Sequence, residues 1–341
     1  MRAKKLVIGA SGFLGGHVVR LLADDGHDVR ALLRPSSSTR SVDGLPVEVV
    51  HGDIFDDESI RRAMTGCDEV YYCVVDARPW LRDPAPLWRT NVDGLRQVLD
   101  VAITFPQVGK FVFTSSMATI GIAESGLATE VVHHNWSDKG GEYVAARVAA
   151  ENLVLDYHRE HGLPAVAMCV ANTYGPGDWL PTPHGRLLSD TLTGAMPFYI
   201  RGVASEVVGV RDAARALILA GERGRPGERY IVAERFLSAR EINDIACTAI
   251  GRRPPALGVP RQVMSAAGAV GEVFARLRRR DNGRLTRQTA RLMHVIPRLD
   301  HGKAVRELGW QPTPAPEVLR EAAIWFDEQA RLRREAKRRA E

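Results

Sequence analysis

The sequence predicts an α/β fold: a Rossmann-type doubly wound parallel sheet with a smaller, mostly helical substrate lobe. Three observations predict it. Short β-rich runs alternate with helical periods through the first half of the chain. Those runs are apolar with little alternation, as strands covered on both faces are. Glycines at 9, 12 and 15 follow the first run directly and open the first helix, the strand–turn–helix context of a dinucleotide turn.

The runs KLVIGA (5–10), DVRALL (28–33), VEVVHG (47–52), EVYYCVV (69–75), KFVFTSS (110–116) and AVAMCV (165–170) read as strands. Periodic segments such as LGGHVVRLLADDG and TNVDGLRQVLDVAI read as the helices between them. Ligands of such a sheet bind outside the carboxyl ends of the strands. After residue 176 the rhythm breaks at the loop YGPGDWLPTPHG. The stretch 206–221 reads as a strand, then Asp212 as a helix cap, then a helix, and ERYIVA (228–233) as one more strand. From 236 to about 325 the pattern is mostly helical, interrupted at RRPPALGVP. The expected organisation is a dinucleotide-binding domain from 1–176 and 206–235, a substrate lobe from 177–205 and 236–311 over the sheet's carboxyl edge, and a C-terminal helix with a basic tail from 312–341.

At 341 residues, 45% hydrophobic and 26% charged, the chain has the composition of an ordinary soluble globule. Much of its net charge of +5 sits in RLRREAKRRA (331–340), which reads as a solvated terminal helix. No nucleic-acid module is visible. The four cysteines form no CxxC pair, which fits reduced core thiols in a cytoplasmic protein and gives no metal-ligand pattern. No signal peptide is evident, and no run reaches the roughly 18 apolar residues of a spanning helix. The apolar stretch 259–280, ending among arginines, is expected to pack on the lobe rather than lie on a membrane surface.

In the turn, Gly9 permits the tight bend, Gly12 allows close approach of a pyrophosphate, and Gly15 allows helix and strand to pack. Ser11, Phe13 and Leu14 complete the phosphate-facing backbone at the helix N-terminus. The second strand ends in ALLRPSSSTR, with Arg34 where an acid would hold an adenosine ribose 2′-hydroxyl. Arginine suits a 2′-phosphate, with Ser36, Ser37 and Arg40 close by, so NADP is favoured over NAD. Asp53, with Ile54, is placed to meet the adenine, or else serves as a turn residue. Val74, in CVVDAR after the fourth strand, would face the nicotinamide side.

The fifth strand ends in the hydroxyl pair Ser115 and Ser116, and Ser116 is the candidate donor to a substrate oxygen. In GGEYVAARVAAENLVL (140–155), Tyr143 and Arg147 share one helix face. A free tyrosine releases its proton near pH 10, so a phenol acting as general acid/base needs a cation beside it. Arg147 can be that cation, or can merely pair with Glu151 on the helix surface. Lys139 is a second candidate cation. The segment 122–141, with His133, His134 and Trp136, is expected to cover the site without binding metal.

Together the glycine turn, TSS with Ser116, Tyr143 followed by a cation, TNVDG around Asn91 and NTYGPGD from Asn172 resemble the extended short-chain dehydrogenase/reductase family, the NAD-dependent epimerases and dehydratases. Within it, DARPWLRDPAPLWRTNVDGLRQVL and PTPHGRLL look like the branch of dihydroflavonol-reductase-like proteins, hopanoid-associated sugar epimerases and 3-beta-hydroxysteroid dehydrogenases. The resemblance implies Ser116 as substrate-oxygen donor, Tyr143 as general acid/base, and hydride transfer between nicotinamide and substrate carbon. Arg147 departs from the family, which has lysine there. The leading expectation is an NADP-dependent oxidoreductase acting on a carbonyl or alcohol of an apolar small molecule, with Asn172 and Trp179 on the substrate, and Phe198 and Tyr199 as further lobe aromatics. The alternatives are a nucleotide-sugar epimerase or dehydratase holding NAD tightly, and a non-catalytic NADP-binding sensor. The epimerase arginine before the strand–Asp element is absent: Ser205 stands there. A homodimer would be usual for the family.

Overall fold

The computed structural model describes residues 4–277, 286–295 and 297–340. The strands are β1 (Lys4–Ile8), β2 (Asp28–Leu33), β3 (Glu48–His51), β4 (Cys67–Tyr72), β5 (Lys110–Ser116), β6 (Ala165–Val170), β7 (Asn172–Tyr174), β8 (Phe198–Ile200), β9 (Ala204–Gly209), β10 (Arg229–Val232), β11 (Arg235–Ser238) and β12 (Leu257–Val259). The helices are α1 (Phe13–Asp24), α2 (Asp57–Met64), α3 (Ala85–Trp88), α4 (Gly94–Ala102), α5 (Ser137–His161), α6 (Pro183–Thr193), α7 (Val210–Arg223), α8 (Ala239–Ala249), α9 (Arg261–Leu277), α10 (Arg287–Leu292) and α11 (Ala315–Ala340).

One sheet runs β3-β2-β1-β4-β5-β6-β10 with every pair parallel. The order reverses between β1 and β4, so the crevice above that pair is the place for a ligand. Every residue of β6 is buried, which is why AVAMCV shows no alternation. One face of the sheet packs on α1 and α7 through Val18, Leu22, Ala213 and Leu217. The other packs on α2, α4 and α5 through Ile60, Leu95, Val98 and Val154. Each fully buried aliphatic side chain contributes about 1.5–3 kcal/mol, so these two layers hold the β1–β4 crevice rigid.

The lobe has its own core, in which Leu188, Leu192, Ile242 and Cys247 meet Val318, Leu319 and Phe326 of α11. Helix α11 thus packs on this core, and its last turns, which carry the basic tail, are exposed. The lobe also holds two small sheets, β11-β9-β7 and β12-β8. Helix α8 opens with a capping box, Ser238 Oγ accepting from Glu241 N (3.2 Å) while the Glu241 carboxylate accepts from Ser238 N (2.8 Å).

Asp212 does not cap α7. The cap residue is Gly209, and Asp212 sits in the first turn, where its Oδ1 accepts from Thr313 Oγ1 (3.1 Å). Helix α9 packs on the lobe through Met264, buried with Ile200 and Ala290, and through Gly268 against the backbone of Thr286. The arginines at 278–280 lie outside the described residues. Among the described residues no helix is long and apolar enough to cross a membrane.

Glu206 of β9 is buried at 2% exposure and accepts from Leu299 N (2.8 Å). Burial pushes its carboxyl up to about 7 from an ordinary value of 4.5. A raised folded-state value means that stability is fullest below the ordinary value and is lost as pH rises through about 7. Glu206→Gln keeps an acceptor for Leu299 N and cannot ionise. We expect urea unfolding at pH 8 to show it more stable than the parent by about 2 kcal/mol, with no gain at pH 4.

Candidate active site

The glycine turn is built as its sequence requires. Gly9 has φ +88°, and a Cβ on it would lie 3.0 Å from the backbone of Cys73 and Val74. Gly12 caps α1 without a side-chain hydrogen bond, and its N–H donates to Gly9 O (3.0 Å). The opening N–H groups of α1 are thus left for an external acceptor. A Cβ on Gly15 would overlap the Gly9 carbonyl, which is backbone and cannot turn aside. Gly15→Ala should cost about 1–3 kcal/mol in thermal unfolding and weaken dinucleotide affinity at least tenfold by fluorescence titration. Unchanged affinity would show that this turn does not hold phosphate.

A cavity of about 720 Å³ opens from this turn across the sheet's carboxyl edge to the lobe. Of the predicted cofactor residues, Ser11, Gly12, Phe13 and Leu14 line it. Ser116, Tyr143 and Arg147 line it from β5 and α5, and Asn172 and Trp179 from the lobe side. The remaining predicted residues lie outside its wall. Gly9 is beneath the turn against β4. Arg34 is exposed at the end of β2, with no ion-pair partner among the described residues. Asp53 is an exposed turn residue whose Oδ1 accepts from Phe55 N (3.1 Å), and Asp56 caps α2 instead. Ile54 is buried in the sheet's core, and Val74 packs on the same core, so Val75 rather than Val74 faces the cavity.

The two serines ending β5 both line the cavity but have different partners. Ser115 Oγ donates to Glu151 (2.5 Å), which also accepts from Thr119 Oγ1 (2.8 Å) and pairs with Arg229 (2.8 Å). Ser116 faces the cavity and caps the turn after β5 by accepting from Ala118 N (3.2 Å). The surface pair of Arg147 with Glu151 is therefore not formed. Glu151 is only 2% exposed, and its charge is answered by Arg229 from β10, 78 residues away in sequence.

Arg147 is 1% exposed. Its Nη2 donates to Thr114 O (2.5 Å), its guanidinium lies 5.2 Å from the centre of the Phe113 ring, and its Nε has no partner. No carboxylate lies within 4 Å among the described residues. Burial pulls its pKa below the ordinary value, opposed chiefly by neighbouring Tyr143. An unpaired buried cation is costly, and this one is held one helical turn from Tyr143 at the cavity wall. Lys139 is exposed in a short turn that Gly141 (φ 66°) separates from the rest of α5, and it does not reach the cavity.

The segment 122–141 does not cover the cavity. It lies along 298–300, joined by Ala128 N to Arg298 O (2.7 Å), and Trp136 is buried with its Nε1 donating to Ile120 O (3.0 Å). His134 packs on Trp136, and neither it nor His133 lines the cavity. Phe198 packs in the lobe against Ile200 and Met264, and Tyr199 is likewise outside the cavity wall.

Further residues line the cavity, Trp325 among them without any signal in the sequence. Trp325 of α11 meets Trp179 edge-on (5.0 Å between ring centres), and Arg40 stacks over Trp179 (4.7 Å). His184 is held to about 4 by burial, its Nε2 bonded to Thr173 O (2.9 Å). Burial raises Asp178 to about 6, although Thr182 N and Oγ1 donate to it (3.0 and 2.9 Å). Asn91 fastens the CVVDAR loop, accepting from Asp76 N (2.9 Å) and donating to Asp76 O (3.0 Å).

The residues present fit a dinucleotide. An uncapped helix N-terminus stands behind a glycine turn, and an orphaned guanidinium nitrogen stands at the other end of the crevice.

Comparison with known proteins agrees with this geometry. The model of the NAD dependent epimerase/dehydratase family matches residues 5–233. Sterol demethylase protein B of Methylococcus capsulatus is 30% identical over 96% of this chain and 99% of its own length. A putative dihydroflavonol 4-reductase of Synechocystis is 30% identical over 94% and 93%. The structure of DesIV, a dTDP-glucose 4,6-dehydratase from Streptomyces venezuelae with NAD and TYD bound, superposes with a TM-score of 0.76 at 25% identity over 95% and 97% of the two chains.

Proposed function

The chain belongs to the NAD dependent epimerase/dehydratase family, and its relatives include named reductases; on that premise we propose that it is an NADP(H)-dependent reductase or dehydrogenase acting on a carbonyl or alcohol of an apolar small molecule. The observation that carries this reading is the convergence of Ser116, Tyr143 and Arg147 on the cavity that opens at the glycine turn. When bound, the nicotinamide supplies or accepts a hydride. Ser116 donates a hydrogen bond to the substrate oxygen. Tyr143 gives that oxygen a proton in reduction and takes it back in oxidation. Arg147 holds positive charge beside the phenol throughout, since a guanidinium does not release its proton at working pH. Asn172 and Trp179 bound the substrate, and Met117 and Val170 give the site an apolar wall. The four free thiols favour a cytoplasmic setting.

The test is NADPH oxidation over a panel of ketones and enals. Turnover supports the reading. Release of NAD on denaturing the purified protein would replace it with the epimerase/dehydratase reading, and tight NADPH binding without turnover would replace it with a sensor. Cofactor choice rests on Arg34. Arg34→Glu should shift the NADPH-to-NADH affinity ratio at least tenfold toward NADH in a fluorescence titration, and an unmoved ratio would take Arg34 out of the site.

A further inference from the structure

The strand that ends in Ser116 and the helix that carries Tyr143 are joined through one buried carboxylate. Glu151 follows Tyr143 by eight residues on α5, is 2% exposed, and does not line the cavity. Its Oε2 lies within hydrogen-bond distance of Ser115 Oγ (2.5 Å), Thr119 Oγ1 (2.8 Å) and Cys169 Sγ (3.2 Å). Its Oε1 accepts from Arg229 Nη1 (2.8 Å). Arg229 Nη2 also donates to Glu130 O, and Glu130 Oε1 accepts from Ile231 N (2.9 Å). A carboxylate offers about four acceptor positions, and strand, turn and helix partners fill those of Glu151. It is therefore a hub of the fold beside the site rather than a group that exchanges a proton with substrate.

The turn after β5 hangs on the same carboxylate. Thr119 Oγ1 lies 2.8 Å from Ser116 O as well as 2.8 Å from Glu151 Oε2, so its single proton is shared between them. Ser116 Oγ accepts from Ala118 N (3.2 Å), which leaves the serine's own proton to the cavity. One strand residue before Ser115, Thr114 O accepts from Arg147 Nη2 (2.5 Å). Arg147 and Glu151, one helical turn apart, thus fasten consecutive residues of β5, and two such links fix both the rotation of α5 and its slide along the strand. A buried ion pair adds little net stability, because desolvation offsets the attraction, and its best-attested use is to specify one arrangement. A buried network whose members are all satisfied specifies it most rigidly.

We propose that Glu151 is a positioning residue: through Ser115 and Thr119 it holds the Ser116 hydroxyl at the separation from Tyr143 that one substrate oxygen must bridge. The roles of Ser116 and Tyr143 rest on the reductase reading, whereas the clamp between β5 and α5 does not. Ser115 is then the strand's side of that clamp, and Arg229 answers the charge that the clamp buries. A misplacement of about 1 Å between reacting groups can cost about 10²-fold in rate, so the clamp matters to turnover without touching substrate.

The experiment reads amide hydrogen exchange across residues 115–120 of the whole chain without cofactor, and steady-state NADPH oxidation with the best ketone of the panel. Thr119 is buried and outside the cavity wall, so Thr119→Val removes the shared hydroxyl at nearly constant shape and Thr119→Ser returns it. We expect Thr119→Val to speed exchange at 115–120 by at least about fivefold and to lower kcat by about 10–10²-fold, with KM and NADPH affinity within about twofold of the parent. Thr119→Ser should lie within about threefold of the parent in both readouts. Glu151→Gln should repeat the pattern of Thr119→Val, and if it does not fold the threonine variants decide. Parental exchange or parental kcat in Thr119→Val overturns the proposal; parental kcat with a lowered melting temperature would make the network structural only. Thr119→Ser as slow as Thr119→Val also overturns it. A parent that turns over no ketone defeats the reductase reading alone, and the exchange comparison then decides the clamp.

Discussion

Tyr143→Phe should lower turnover by about 10²–10⁴-fold while leaving the fold and the dinucleotide affinity in place. The phenol lies half-buried on the cavity wall, and its hydroxyl makes no hydrogen bond with the described residues. Deleting that hydroxyl removes the proton donor without orphaning a partner, so the stability change should stay within about 0.5 kcal/mol. Steady-state NADPH oxidation beside a thermal melt separates the two effects. Parental turnover in the Tyr143→Phe variant would show that the proton comes from elsewhere.

Arg147 should behave differently, because its position is costly to the fold. Its guanidinium is shut from solvent, makes one hydrogen bond to Thr114 O, and leaves Nε unpaired, with no carboxylate within 4 Å among the described residues. Replacing even a paired buried charge with apolar side chains of similar volume is often neutral or stabilising by about 1–4 kcal/mol, and Arg147 has no ion pair to lose among the described residues. Arg147→Met is therefore expected to raise stability by about 1–3 kcal/mol in urea unfolding and to lose at least a hundredfold in turnover. Arg147→Lys should keep turnover within about tenfold. Stability given up at one residue for activity is the trade-off expected at a working site. If Arg147→Met instead destabilises and leaves turnover intact, Arg147 is a structural residue.

The same residue shows how far the sequence reached. Its place one turn after Tyr143 follows from helix spacing, and so does the shared face. That it avoids Glu151 could not be read, because the partner of Glu151 is Arg229 on a strand that reaches β6 only through the folded sheet. The central strands were legible because burial on both faces leaves continuous apolar runs. The glycine turn was legible because only glycine meets its backbone demands. Ser116 was singled out from its pair, but that Ser115 is taken up by Glu151 could not be read, because strand and helix meet only in the fold. Trp325 was missed because α11 carries the periodicity of any amphipathic helix, and its contact with Trp179 joins chain segments far apart. Phe198 and Tyr199 were read as lobe aromatics, and the segment 122–141 as a cover of the site. In the fold Phe198 packs on Ile200 and Met264, Arg240 lies over the Tyr199 ring, and the 298–300 backbone partners the segment.

The most direct measurement of Arg147 acting as the cation beside Tyr143 is deuterium transfer from 4-deuterated NADPH to the product carbon, followed by mass spectrometry under single-turnover conditions. Label should appear with the parent and with Arg147→Lys, and should be lost with Arg147→Met and with Tyr143→Phe. Equal label in the Arg147→Met product would contradict the account.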